Sequence, residues 1–117
     1  LPDPGDHEAE VTAEDFRKIE LRTARVLDVE PVANANKLYK LSLDLGYERR
    51  TIVSGIREFY KPEELIGKNI VVICNLKPAK LRGVVSNGML LAAESSDGGE
   101  LALLTLDQDI TPGSRVH

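Results

Sequence analysis

Within Leu38–Leu45, Leu41, Leu43 and Leu45 alternate with Ser42 and Asp44, a period of two that suits a half-buried strand and no helix. The other apolar stretches are equally short. Asn69–Asn75 sets Ile70, Val72 and Cys74 on one face and Val71 and Ile73 on the other, which predicts a strand buried on both sides. From Leu21 to Val32 the alternation slips near Leu27–Val29, as a bulge or strong bend would require. Long, bent first strands are common where a small sheet curls into a barrel. Arg50–Val53 reads as a third strand joined to the second through Gly46–Glu48, Met89–Ala93 as a fifth, and Leu101–Leu106 as a short sixth. Ser95–Gly99 and Thr111-Pro112-Gly113 are turns.

Helical signals are brief. Pro62-Glu63-Glu64-Leu65 predicts one turn with Pro near its start and Gly67 at its stop. Thr12 and Asp15 resemble a capping box that opens one or two turns, with Phe16 and Ile19 seating them on the core. The expected fold is therefore all-β: five strands with a short helix between strands 3 and 4 is the element order of an OB-fold barrel, although SH3-like barrels share much of it. With 117 residues the chain forms one domain, expected over 12–117. Residues 1–11 hold Pro2, Pro4, Gly5 and four acids with little to bury, and read as a disordered linker. The start at Leu1 suggests the end of a tether cut from a longer chain. No apolar run approaches the ~20 residues that span a bilayer, so no membrane partner is expected. A lone cysteine, Cys74, fits a reducing, cytoplasmic setting and a buried, inert thiol.

Catalysis finds little to work with. The histidines, His7 and His117, lie at the two ends of the chain, so no nucleophile has an evident base and no metal site is visible. No catalytic residue, metal or cofactor is expected. Charge is more informative, through its distribution. Residues 37–82 carry 10 basic and 5 acidic side chains (+5), whereas 1–36 (4 and 9, −5) and 83–117 (1 and 5, −4) are acidic, which leaves a net charge of −4. A basic block between acidic ends suits a polyanion met by one face. Lys77, Lys80 and Arg82 fall within six residues and read as a basic loop, followed at once by a small-residue turn at Ser86, Asn87 and Gly88. In the loop before the second strand, Asn34 and Asn36 precede Lys37 at the mouth of the expected barrel, where such folds bind ligands. Either Arg49 or Arg50 can join Lys37 on that face, and alternation alone does not choose between them. Aromatic content is only 4%, so a folded RNA held by phosphates and 2′-hydroxyls fits better than bases stacked on aromatic platforms. Met89, by periodicity alone, reads as a core or rim side chain.

The stretches N-A-N-K-L-Y-K-L (34–41), E-R-R-T-I-V-S-G-I (48–56), P-E-E-L-I-G-K (62–68), N-L-K-P-A-K-L-R-G (75–83) and S-N-G-M-L-L-A-A (86–93) closely resemble the tRNA-binding domain family. Its members include the C-terminal domain of bacterial methionyl-tRNA synthetase and free-standing dimeric tRNA-binding proteins. The resemblance runs from about Thr12 to the end of the chain. It implies a five-stranded OB-fold barrel with an added C-terminal segment, a homodimer, and shape recognition of tRNA without catalysis; the acidic tether at 1–11 then fits a parent chain that carries a synthetase catalytic core better than a free-standing protein. Carried over by motif, it implies RNA contacts at Lys37, Arg50, Lys77, Lys80, Ser86, Asn87 and Met89, and for Met89 it favours a rim position. Family members usually carry Gln at the place of Asn87, an acid at that of Val85, and often Asp or Glu at that of Asn36. The competing expectation is a dimerisation or chaperone-like module that binds proteins through an apolar groove. A dimer contact is expected from the N-terminal segment and part of the apolar run Leu101, Leu103, Leu104, Leu106 and Ile110.

Overall fold

A computed structural model of the protein describes residues 5–117. Residues 1–4 of the expected linker lie outside that range, and residues 5–12 form neither helix nor strand. Helix α1 (Ala13–Arg17) begins where Thr12 Oγ1 accepts the Asp15 N–H at 3.0 Å, the cap read from the sequence. Then follow β1 (Leu21–Pro31), β2 (Tyr39–Asp44), β3 (Arg49–Ser54), α2 (Pro62–Leu65) and β4 (Asn69–Ile73). Six short strands complete the order: β5 (Ala79–Leu81), β6 (Val84–Ser86), β7 (Met89–Leu90), β8 (Ala92–Glu94), β9 (Leu101–Leu103) and β10 (Arg115–Val116).

The main sheet is antiparallel in the order β3-β2-β1-β4-β7, with β10 added to the start of β1. β1 makes it curl. Its first half pairs with β4, from Leu21 opposite Ile73 to Arg25 opposite Asn69. Its second half pairs with β2, from Arg25 opposite Asp44 to Pro31 opposite Tyr39. Between Val26 and Asp28 the register shifts by one residue, so Leu27 is the bulge that the slipped alternation predicts. Inside the curl, Leu41, Leu43 and Leu45 of β2 and its end meet Ile52, Ile70 and Val72, all fully buried. Leu65 of α2 plugs the same core, and α2 is tied down by the Gly67 N–H to Val26 O bond at 2.8 Å. Each such side chain stabilises the fold by about 1.5–3 kcal/mol, so a one-residue slip of β2 would turn the core out to water.

The sequence expectation is corrected at three places. The fifth strand is not continuous: it breaks at Leu91 into β7, which pairs with β4, and β8, which pairs with β9. Leu91 still donates to Val71 O (3.1 Å) and accepts from Leu104 N–H (3.1 Å), so the chain changes partners there without losing its bonds. Phe16 and Ile19 do not seat α1 on the core; they are 39% and 44% exposed and, with Val116 of β10, line an open cleft. The basic stretch taken as a loop is in part a hairpin, β5 against β6. The barrel also closes without a strand ladder. Between β3 and the turn before β7, the Asn87 N–H donates to Thr51 O at 2.9 Å and the Val53 N–H to Ser86 Oγ at 2.9 Å.

Candidate nucleic-acid interface

Two elements rise on the same side of β3. The β1–β2 loop winds tightly, with Ala35 N–H bonded to Val32 O (3.3 Å) and Leu38 N–H to Ala35 O (3.2 Å). Asn34 adopts a left-handed backbone (φ +60°), which Asn tolerates better than most residues. Asn34, Asn36 and Lys37 are left exposed. Arg57 latches the loop from behind: its guanidinium donates to Ala35 O at 3.0 Å and its backbone N–H to Lys37 O at 3.2 Å.

The second element is the β5–β6 hairpin, which turns through Arg82 (φ +49°) and Gly83 (φ +85°), the pair of positive torsions typical of a type I′ turn. β5 is exposed along its length, and Lys77, Lys80 and Arg82 all stand in solvent. A small cluster apart from the main core joins loop to hairpin: Val32, Ala35 and Val53 are buried together, with Leu38 and Val84 packed against them. Val53 belongs to β3 and Val84 to β6, so the outer face of β3 is the floor on which both elements sit.

Asn34, Ala35, Asn36, Lys37 and Leu38 of the loop and Arg82 of the hairpin line one open cleft of about 410 Å³. Cations there can hold a phosphate, while amides, as both donors and acceptors, can meet a base edge or a 2′-hydroxyl. Among the described residues, Lys37, Lys77, Lys80 and Arg82 have no ion-pair partner, unlike Lys40 (Glu30, 3.4 Å) and Arg50 (Glu48, 2.9 Å). Four cations of the basic block thus stand without an ion pair around this cleft and on the adjoining hairpin.

The remaining expected contact residues are placed differently. Met89 is 47% exposed at the start of β7, a rim position, and Asn87 is half-buried beside it. Ser86 is buried, with its hydroxyl accepting from Val53 N–H and donating to Gly88 O at 3.0 Å. Arg50 lies along the seam, its Nη1 2.6 Å from Cys74 O and 3.5 Å from Asn87 O, its Nε 2.9 Å from Glu48 Oε1. Arg49 is the exposed member of the arginine pair. Burial pushes the Cys74 thiol above its ordinary pKa, which keeps it neutral and unreactive. Arg57, Val53 and Val84 were not singled out from the sequence. Arg57 was visible only as one more cation of the basic block, since its partner is a loop carbonyl.

On the α1 side, Phe16, Ile19, Val116 and His117 border a more apolar cleft of about 290 Å³. Among the described residues, no group of three or more His, Cys, Asp or Glu is placed to hold a metal ion, and no helix is long and apolar enough to cross a membrane.

Comparison with known proteins identifies the architecture. Residues 21–115 match the family model described as a putative tRNA binding domain. The methionine–tRNA ligase of Thermotoga maritima is 58% identical over 106 residues, which is 91% of this chain and 16% of the ligase. The chain therefore spans about a sixth of the length of that relative. Among solved structures, a MetRS-related protein from Pyrococcus horikoshii superposes with a TM-score of 0.89 at 38% identity, covering 94% of this chain and all of that one. The chaperone CsaA of Bacillus anthracis superposes with a TM-score of 0.84 at 26% identity, over 93% of this chain and all of its own.

Proposed function

The chain belongs to the putative tRNA-binding domain family, and from that premise we propose that it grips folded tRNA at the cleft between the β1–β2 loop and the β5–β6 hairpin. Lys37, Lys77, Lys80 and Arg82 supply the phosphate contacts, while Asn34, Asn87 and Met89 meet exposed sugar and base groups. The observation that carries this reading is the convergence of unpaired cations from two distant segments on one face, with amides between them. Such a surface reads charge spacing and shape, with little capacity to read sequence. The domain itself performs no chemistry.

The parent is a cytoplasmic methionyl-tRNA synthetase, with this domain as its C-terminal appendage and residues 1–11 as the tether to it. The identity to the Thermotoga ligase over a sixth of that enzyme's length supports this assignment. Tethering would raise the local concentration of tRNA near the catalytic body. The domain pairs as a homodimer, bringing two modest basic faces into one composite surface. A protein-binding, chaperone-like role is supported by the likeness to CsaA alone, and the unpaired cations give it no purpose.

The test is binding of bulk folded tRNA, by fluorescence anisotropy, across roughly 50–200 mM salt. Wild type should lose affinity steeply with salt, because each phosphate contact releases a counterion and adds ~0.9 to the slope. Lys37→Ala/Lys80→Ala/Arg82→Ala, with its fold checked by circular dichroism, should bind weakly and with a flatter slope. Equal binding by both proteins would remove the site from this face, and no binding by either would favour the protein-binding role.

A further inference from the structure

The seam between β3 and the turn at 86–88 is held by side chains where a strand pair would be expected. Ser86 Oγ accepts the Val53 N–H at 2.9 Å and donates to Gly88 O at 3.0 Å, so both of its hydrogen-bonding roles are spent inside the protein. It is also only 5% exposed. Arg50 fastens the other side of the same turn, with Nη1 2.6 Å from Cys74 O and 3.5 Å from Asn87 O. Glu48 takes the remaining edge of that guanidinium, at 2.9 Å from both Nε and Nη2. Cys74 and Asn87 lie just outside the two ends of the basic stretch. Arg50 therefore bridges the base of the loop that carries Lys77, Lys80 and Arg82.

We propose that Ser86 and Arg50 are positioning residues: they anchor the basic hairpin to β3 and hold its cations in place, without touching RNA themselves. This rests on the reading of that face as an RNA-binding surface. The hairpin needs such an anchor. β5 and β6 are three residues each, β5 buries nothing, β6 adds only Val84 against the Val32–Ala35–Val53 cluster, and a free two-stranded hairpin is marginal at best. A cation whose position is fixed before binding loses less conformational freedom when a phosphate arrives.

Salt dependence separates positioning from contact, because the slope counts the phosphates neutralised. Serine is uncharged. If Ser86 touched RNA directly, Ser86→Ala would weaken binding and leave the slope unchanged. If it acts through three cations worth ~0.9 each, the slope should fall by up to about 2.7 units. Arg50→Lys keeps the charge but not the planar fork, so a simple phosphate contact would preserve the slope and a positioning role would lose it. Hydrogen exchange on the free protein supplies a readout without RNA.

The expected result is a flatter slope in both variants, with faster exchange at the Val53 amide and over residues 79–86 while β1 and β4 stay protected. Lower affinity at unchanged slope and unchanged hairpin exchange would make these residues direct contacts and overturn the proposal; so would unchanged affinity. If Ser86→Ala fails to fold, Arg50→Lys decides. If wild type shows no salt-dependent tRNA binding, the RNA-binding reading itself falls and takes the proposal with it. The exchange data still report separately whether the seam holds the hairpin.

Discussion

Gly113 and Gly83 share a backbone torsion, φ +86° and +85°, yet the structure gives them different weights. A Cβ on Gly113 would collide with the Leu45 carbonyl oxygen, and the residue's N–H donates to Thr23 O at 2.7 Å. Its own carbonyl accepts from Arg22 Nη1 at 2.8 Å. A Cβ on Gly83 meets nothing within 4 Å. Gly113→Ala should therefore destabilise the protein by upward of ~3 kcal/mol, since torsional strain adds to a backbone clash that cannot relax cheaply. Gly83→Ala should cost only the torsional strain, about 1–2 kcal/mol. Urea denaturation of the two variants checks this; equal losses would mean that the contact between the Gly113 turn and β2 is not made. The sequence marks Gly113 as a turn residue, leaves Gly83 unmarked, and goes no further. What separates them is that the turn at 111–113 lands on the end of β2, and no local signal encodes the meeting of segments so far apart in the chain.

At the scale of elements, the β5–β6 hairpin trades backbone ease for charge. Arg82 is held at φ +49°, a region that costs a non-glycine residue about 1–2 kcal/mol and that Asn accepts far more readily. Arg82→Asn should leave the protein equally stable or more stable, by up to ~1 kcal/mol, while lowering tRNA affinity and the salt slope by close to one phosphate's worth. Thermal denaturation and the binding series test the two halves separately. A variant both less stable and weaker in binding would show that Arg82 holds the hairpin together. This hairpin is also the element least legible in the sequence. Leu41, Leu43 and Leu45 announce their strand because one face is buried, and the bulge at Leu27 shows as a slip in the same alternation. β5 buries neither face, so Ala79-Lys80-Leu81 carries no period and its strand character comes only from pairing with β6. The exposure of Lys37 and Met89 is legible from loop chemistry and motif, whereas the strand at Lys80 and the burial of Ser86 are not. That burial depends on how the barrel closes.

Over the whole molecule, two surfaces remain to be explained together: the cationic cleft, and the apolar side formed by α1 and β10. Phe16 and Ile19 are exposed there beside Val116, and Val11, just before the helix, is 73% exposed. Of the C-terminal apolar run, Leu103 is buried in the main core and Leu101 packs against it, while Leu104 and Ile110 stay exposed. The core thus absorbs part of the run and leaves α1 with an uncovered face. A second copy of the chain is the occupant proposed for that face, and it would supply what the cleft lacks. Four unpaired cations on one face of a chain of net charge −4 make a modest grip on a polyanion, and two such faces fixed in one assembly would engage one tRNA with no new contact within either copy. Sedimentation velocity should therefore find a species of twice the 12.9 kDa chain mass. Phe16→Glu/Ile19→Glu should reduce it to a folded monomer, because a charge buried in an apolar contact must lose its water without a partner. That monomer should bind tRNA roughly 100-fold more weakly, the lower end of what linked sites commonly lose on separation. A wild-type monomer at micromolar concentration would sink the dimer. A monomeric variant that bound tRNA as tightly as wild type would leave the dimer standing but confine recognition to a single cleft.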